Sequence, residues 1–313
     1  MLAVLAFAAA LARPGFGESE FLMNLHKAET RKEPEERVEY LDRALKAWDP
    51  DEGNELLSHA DLMRGEAHYE LNELSDAEPD LSKAVELDPG SARAYFLRGE
   101  IRLKQGRPKD AEADLREYAA QKPDDIEGWL ALADAQVRAR EYADALESVR
   151  RADLLDPADW RVGLARARAA MTRKSWDSAV ESLDAADVAA KRREPEVQAE
   201  RAICRVAQGK PELALKDYGL ALTAYEQRLD ALARSKPLKI DAVETQGKAA
   251  RAYFGRGRVY EFLGRTAPAA ADYRESCRLG HEPACARERN LPADSAKKAK
   301  PETHDSGDRI YAN

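Results

Sequence analysis

The sequence repeats itself at a fixed spacing, and this period limits the possible folds more than any other feature of the chain. Three prolines, Pro89, Pro123 and Pro157, each close a helix-like stretch and follow one another at steps of 34 residues. The phrase ARAYFLRGE at 92–100 returns as ARAYFGRGR at 250–258. Such self-similarity predicts a stack of like structural units.

The composition indicates what each unit is made of. Charged residues make up 35% of the chain and aromatic residues only 7%, and Ala, Leu, Glu and Arg recur throughout. These residue types favour helix, and we find no alternating strand pattern. A unit of two short helices has two apolar faces and can bury both only by stacking on its neighbours. The sequence therefore predicts an all-α solenoid of helical hairpins.

The pattern within one period resembles a known family. The unit at 92–125 shows its large, small and closing residues most clearly: Tyr95, Gly99, Ala111, Leu115 and Pro123. This arrangement resembles the tetratricopeptide repeat (TPR). The resemblance covers about 18–285 and implies a right-handed superhelical solenoid of about seven repeats, within a domain at 13–285. The repeats are expected near residues 18–51, 58–91, 92–125, 126–159, 160–194, 195–249 and 250–283.

The repeat at 195–249 is longer than the others by an insertion of 21 residues. Helical pattern runs from Glu212 to Arg234 and again from Leu238 to Leu263, which predicts two elongated antiparallel helices. We expect Leu238, Ile240 and Val243 to supply apolar contacts within this hairpin. Two interpretations stay open at this point: a tolerated variation in length, or a hairpin that docks a partner or a second copy.

The N-terminus is a separate apolar element, MLAVLAFAAALA, at residues 1–12. It is too short for a stable membrane span, and Ala10-Leu11-Ala12 fits the small-x-small pattern of a cleavage site. No Lys or Arg precedes the apolar stretch. We interpret residues 1–12 as a cleaved signal peptide and expect a periplasmic or extracellular protein. The alternatives are an apolar capping helix and a cytoplasmic location.

Two of the three cysteines, Cys277 and Cys285, enclose seven residues near the end of the last repeat. This spacing resembles the disulfide-bridged helical repeats of the Sel1-like family, and the resemblance implies a Cys277–Cys285 disulfide; two unpaired thiols are the alternative. Cys204 lies in a repeat helix and is interpreted as core. The segment at 286–313 is polar, and we expect a disordered tail.

The sequence contains no recognisable catalytic constellation. The five histidines are scattered, and neither a phosphate-binding glycine loop nor a nucleophile elbow is present. The net charge of −8 argues against a general nucleic-acid binder, which needs a basic face. We therefore expect a non-enzyme with no catalytic residue, no cofactor and no metal site.

The TPR resemblance implies that the first helix of each repeat lines a concave groove, which binds an extended peptide or a helix of a partner protein. The inward positions mix arginine with aromatic residues that we expect to be exposed, a composition found in binding hot spots. These positions are Leu62, Glu66, Tyr69, Arg93, Phe96, Glu100, Leu130, Asp134, Arg161, Arg168, Arg251, Phe254 and Arg258. The alternatives are a solvated charged face, a cytoplasmic TPR adaptor, and a Sel1-like envelope enzyme or binder of cell-wall or β-lactam ligands.

Overall fold

The structure, a computed structural model, describes residues 19–235 and 238–291. These ranges hold α-helices and one short 3-10 helix at Pro50–Glu52, and no strand. The all-α class expected from the composition is therefore confirmed. The proposed signal peptide and most of the proposed tail lie outside the described residues.

The α-helices of the described residues are named α1 to α15 in chain order. They are α1 Glu20–Glu29, α2 Pro34–Ala47, α3 Asn54–Glu70, α4 Leu74–Leu87, α5 Ala92–Lys104, α6 Pro108–Gln121, α7 Ile126–Ala139, α8 Tyr142–Leu155, α9 Trp160–Thr172, α10 Trp176–Ala189, α11 Pro195–Ala207, α12 Pro211–Arg234, α13 Lys239–Phe262, α14 Thr266–Arg278 and α15 Glu282–Asn290.

The helices follow the predicted hairpin order, with odd-numbered first helices and even-numbered second helices up to α14. Two predicted boundaries differ. Helix α3 begins at Asn54, before the expected start at 58, whereas α13 spans the helical stretch predicted from 238 to 263. The tail is expected from residue 286, but α15 continues to Asn290. Pro283 lies in the first turn of α15, where a proline starts a helix rather than ending one.

The described residues form two compact units. The first comprises residues 19–141 with Leu238–Ile240, and the second comprises residues 142–235 and 241–291. In the first unit, Leu97, Ile101 and Leu115 anchor a core around α5 and α6. The second unit has its own cores, one around α9 to α11 and one between α12 and α13.

Close helix contact explains the small residues of the repeat. A Cβ atom added to Gly65 would lie 2.8 Å from Cγ of Leu81, and one added to Gly99 would lie 2.8 Å from Cγ of Leu115. Each glycine is on a first helix and each leucine on the second helix of the same repeat. The same contact thus returns after 34 residues, because the two helix axes approach too closely there for a larger side chain.

An Arg–Asp ion pair recurs inside the repeats and was not foreseen from the sequence. In each pair the arginine is on the first helix and the aspartate follows 16 residues later on the second helix. The pairs are Arg64–Asp80, Arg98–Asp114, Arg201–Asp217 and Arg256–Asp272. All four aspartates are buried, at 1–7% exposure, so each pair ties its hairpin together away from water.

The turns inside the repeats share one backbone conformation. A residue in the left-handed region, with φ between 56° and 74°, stands at the same place in six of them: Asn72, Gly106, Arg140, Lys174, Gly209 and Gly264. Glycine adopts this conformation without strain, whereas a side chain adds about 1 kcal/mol. The turns at Arg140 and Lys174 are therefore strained relative to those at the glycines.

The elongated hairpin is formed by α12 and α13. Leu222 and Tyr225 are each 2% exposed and pack with residues of α13, and the Tyr253 hydroxyl donates a hydrogen bond to Glu226. The apolar contact is therefore made near the base of the hairpin. Of the three residues expected to supply apolar contacts, Ile240 is buried at 4% exposure, whereas Leu238 and Val243 remain 39% and 47% exposed.

The Cys277–Cys285 disulfide implied by the Sel1-like spacing is present and joins α14 to α15. Cys204 is fully buried, as expected of a core cysteine, and burial raises the pKa of its thiol to about 12. Across the described ranges, every helix is too short or too polar to cross a bilayer.

Candidate functional site

In the first unit, α3, α5 and α7 lie side by side and present two rows of side chains. The apolar row consists of Leu62, Phe96 and Leu130. The acidic row consists of Glu66, Glu100 and Asp134. Members of a row recur at steps of 34 residues, and the two rows are four residues apart, which places them one helical turn from each other on the same face. We call this face the first-helix surface of the first unit.

Two members of the acidic row have a cation of their own. A guanidinium nitrogen of Arg93 lies 2.6 Å from a carboxylate oxygen of Glu66 and so links α5 to α3. On α7, Arg138 lies 2.8 Å from Asp134. The sequence-predicted residues Glu66, Arg93 and Asp134 therefore share one surface, and much of their charge is already neutralised there.

Phe96 is more buried than the sequence suggested. Its ring is 8% exposed and its centroid lies 4.9 Å from that of Tyr118 on α6. Tyr118 occupies a place where the repeat pattern has a small residue, and it fits because Gly128 leaves room for it; a Cβ there would lie 2.5 Å from the tyrosine ring. Phe96 thus forms the floor of the surface, while Leu62 and Leu130 remain partly exposed.

Glu100 is the central member of the acidic row and differs from its neighbours. Within the described residues it forms neither a hydrogen bond nor an ion pair shorter than 4.0 Å. Burial raises the pKa of this carboxyl, Lys104 opposes the rise, and the carboxylate of Asp134 adds to it. The ammonium of Lys104 lies 5.7 Å from the ring centroid of Tyr69, another predicted site residue.

In the second unit, Arg168 of α9 binds two carboxylates of α11, at 2.5 Å to Glu196 and 3.2 Å to Glu200. Lys248 of α13 lies 2.8 Å from Glu196. Burial opposes ionisation of Glu196, but Arg168 and Lys248 outweigh it and lower its pKa to about 2. Sequence reasoning missed Glu196, Glu200 and Lys248, although Glu196 stands in the register of Arg161 after the 35-residue step.

Arg161 is engaged locally. Its guanidinium lies 2.6 Å from the carboxylate of Asp159, which also accepts a hydrogen bond from the Arg161 backbone N–H and so caps α9. Pairing with Arg161 lowers the pKa of Asp159, although burial opposes the change. This arginine therefore stabilises the start of its own helix.

In the second unit, the first helix of the last repeat, α13, carries a group of basic and aromatic side chains. Arg251 is exposed, and the guanidinium carbon of Arg258 lies 5.9 Å from the ring centroid of Phe254. The Phe254 ring also contacts His281, at 4.7 Å between centroids. Burial, and then the charge of Arg251, lower the pKa of His281, so this imidazole is neutral near pH 7.

One group in the first unit has metal-ligand atoms close together. His68, Glu73 and Asp76 place one such atom each within 4.8 Å of one another at the turn between α3 and α4. The Nδ1 atom of His68 lies 2.8 Å from the Glu73 carboxylate, and both acids are exposed. The imidazole is thus already hydrogen-bonded, and exposed acids near a helix start are common without a metal.

Family models match about half of the chain, and a solved structure aligns with most of it. Models of the tetratricopeptide repeat match residues 62–126 and 130–195, and a further one matches 250–279. A solved tetratricopeptide repeat protein from Parabacteroides merdae ATCC 43184 is 15% identical; the alignment covers 86% of this chain and 98% of that chain, with a TM-score of 0.69. No curated protein matches the sequence.

Two further solved structures have a similar fold. One is the Cut9–Hcn1 hetero-tetramer of APC/C, at 13% identity, covering 87% of this chain and 55% of that chain, with a TM-score of 0.57. The other is MamA from Desulfovibrio magneticus RS-1, at 19% identity, covering 57% and 98%, with a TM-score of 0.50. The shared helical repeats, their order and these matches show that the chain belongs to the tetratricopeptide-repeat family.

Proposed function

We propose that the protein is a non-catalytic scaffold whose first-helix surfaces bind an extended peptide or a helix of a partner protein. A tetratricopeptide-repeat fold is in general that of a protein-interaction scaffold. The observation that carries the finer proposal is the pair of rows on α3, α5 and α7, in which apolar and charged side chains keep one register across three helices. Elongated surfaces of this kind suit a partner that is itself a linear segment.

The chemistry of the chain favours a protein partner over a nucleic acid. The net charge of −8 opposes a polyanion, and Glu100 of the acidic row does so locally. The second unit presents Arg251 and Arg258 beside Phe254, a combination of arginine and aromatic residues that is enriched in protein hot spots.

The test of this surface compares matched variants. We expect the combination Leu130→Asp with Arg251→Glu to reduce capture of the partner by about tenfold or more, since it removes one apolar and one charged contact. The control is Leu154→Asp on α8, because Leu154 is 74% exposed and lies on a second helix. The measurement is affinity capture from the native source with quantitative mass spectrometry.

Two results would contradict the proposed surface. One is equal capture by the wild type and the Leu130→Asp, Arg251→Glu variant. The other is a loss of capture caused by Leu154→Asp alone. Leu130 and Arg251 are not fully buried, so we expect the variants to fold. Circular dichroism of all three proteins checks this.

We further propose that the protein is exported. The Cys277–Cys285 disulfide supports this, because such bonds persist mainly in oxidising compartments. We expect the intact mass of the native protein to correspond to a chain that begins at Arg13 and lacks two hydrogens relative to free thiols. A full-length mass with reactive Cys277 and Cys285 would refute export and favour a cytoplasmic adaptor.

A further inference from the structure

We propose that Glu100 receives an arginine or lysine side chain from the bound segment, and that this cation is the specificity anchor of the first unit. The inference rests on the proposed function, since it names the chemistry of the segment that the first-helix surface would bind. The segment is a stretch of a partner protein that presents one basic side chain flanked by apolar ones.

The geometry of the acidic row carries the proposal. Glu66 and Asp134 at either side of Glu100 are each held by an arginine, at 2.6 Å and 2.8 Å. Glu100 has no such partner among the described residues, although it occupies the equivalent place on the central helix α5. The row therefore has one position left for a cation, and that position is its centre.

The surroundings of Glu100 agree with an anionic site that a ligand completes. On its own helix, Lys104 attracts the carboxylate, and this ammonium is also placed near the Tyr69 ring. Burial is the main cause of the raised pKa of Glu100; from α7, Asp134 and Glu127 repel the carboxylate and Arg138 attracts it. A partner cation would offset this desolvation, and a guanidinium would do so through two hydrogen bonds to one carboxylate.

The apolar row defines the rest of the segment. Leu62 and Leu130 are partly exposed on the two outer helices, with the nearly buried Phe96 between them. A segment that places its basic side chain at Glu100 therefore passes apolar side chains over this row, one helical turn away. A strongly acidic segment would place its carboxylates against Glu100, which has no arginine partner among the described residues, and would be repelled.

The test uses short peptide libraries and the full chain. Each peptide is acetylated and amidated, its outer positions are drawn from Ala, Leu, Ile and Phe, and its central residue is arginine, citrulline or glutamate. Citrulline keeps the shape of arginine without its charge. Retention on the immobilised protein is measured for the wild type, for Glu100→Gln, and for Glu86→Gln as an exposed acid on the second helix α4.

We expect the wild type and Glu86→Gln to retain arginine peptides about tenfold or more over citrulline peptides, because a charge-assisted hydrogen bond is lost with citrulline. In Glu100→Gln the preference should fall to about twofold or less, while citrulline peptides bind as well as they do to the wild type. This second readout separates recognition from folding, since a damaged surface would lose both peptide sets.

Three outcomes would overturn the anchor. Equal retention of arginine and citrulline peptides by the wild type would refute it and leave the scaffold function intact. A preference that survives in Glu100→Gln would place cation recognition at another acid. Failure of the wild type to retain any library would refute both the anchor and the first-helix surface of the first unit.

Discussion

Replacing Arg256 with methionine is expected to lower the free energy of unfolding by about 3 kcal/mol, since breaking a buried ion pair leaves one charge uncompensated. Two guanidinium nitrogens of Arg256 each lie 2.8 Å from an oxygen of Asp272, which is 4% exposed. Burial raises the pKa of Asp272 even with Arg256 in place. Without the arginine, the carboxylate must stay buried alone or take up a proton. Urea-induced unfolding followed by circular dichroism measures the loss.

The double variant Arg256→Met, Asp272→Leu isolates the pair. We expect it to recover to within about 1 kcal/mol of the wild type, because two apolar side chains of similar volume replace both charges. The matched control is Arg150→Met, which breaks a pair with Glu147 whose side chains are 70% and 50% exposed and should change stability by about 0.5 kcal/mol or less. The guanidinium carbon of Arg256 also lies 5.6 Å from the ring centroid of Tyr253. A double variant as unstable as Arg256→Met would assign the effect to the loss of this contact instead.

The substitution Gly99→Val is expected to destabilise the chain by about 3 kcal/mol, at the upper end for overpacking a core. The added Cβ alone would lie 2.8 Å from Cγ of Leu115, a branch carbon that cannot move aside as a chain end could. The two helices of the repeat would have to separate, and Leu97 and Ile101 of the same core would lose contacts. The thermal midpoint and the urea midpoint should both fall.

Gly219→Val is the control for this change. Gly219 lies in the interior of α12, and a Cβ added there meets nothing within 4 Å. Since valine is a somewhat better helix former than glycine, stability should stay the same or rise by about 0.5 kcal/mol. An equal loss in Gly219→Val would show that the destabilisation does not depend on the contact with Leu115.

Much of the fold could be predicted because a single period determines it. A 34-residue step fixes the helices, the hairpin order and the close contacts at Gly65 and Gly99. The recurring Arg–Asp pairs escaped prediction because an arginine and an aspartate 16 residues apart look like ordinary solvated charges until two helices face each other. Burial of those pairs is a consequence of tertiary packing that local sequence does not report.

The sequence predicted which residues share the candidate surface, but not which of their side chains are paired or buried. The period placed Glu66, Glu100 and Asp134 on one face. It could not tell that two of them are paired with arginine and that Glu100 has no such partner in the part of the chain that the structure describes. Whether an acid is paired depends on where long side chains such as Arg93 extend, and this is determined by the residues packed around them. The burial of Phe96 likewise depends on Tyr118, which departs from the repeat pattern.

The uneven turns have a consequence for how the chain unfolds. The repeats whose turns hold Arg140 and Lys174 lack the relaxed glycine, and Ser148 and Ser182 stand where other repeats have the paired aspartate. In a repeat array, stability is roughly a sum of local terms and neighbour terms, so we expect these middle repeats to have the lowest local stability. Unfolding should therefore pass through partly unfolded species in which these middle repeats have opened while the repeats whose turns contain glycine remain folded. A partner bound to α7 would lower the population of these species.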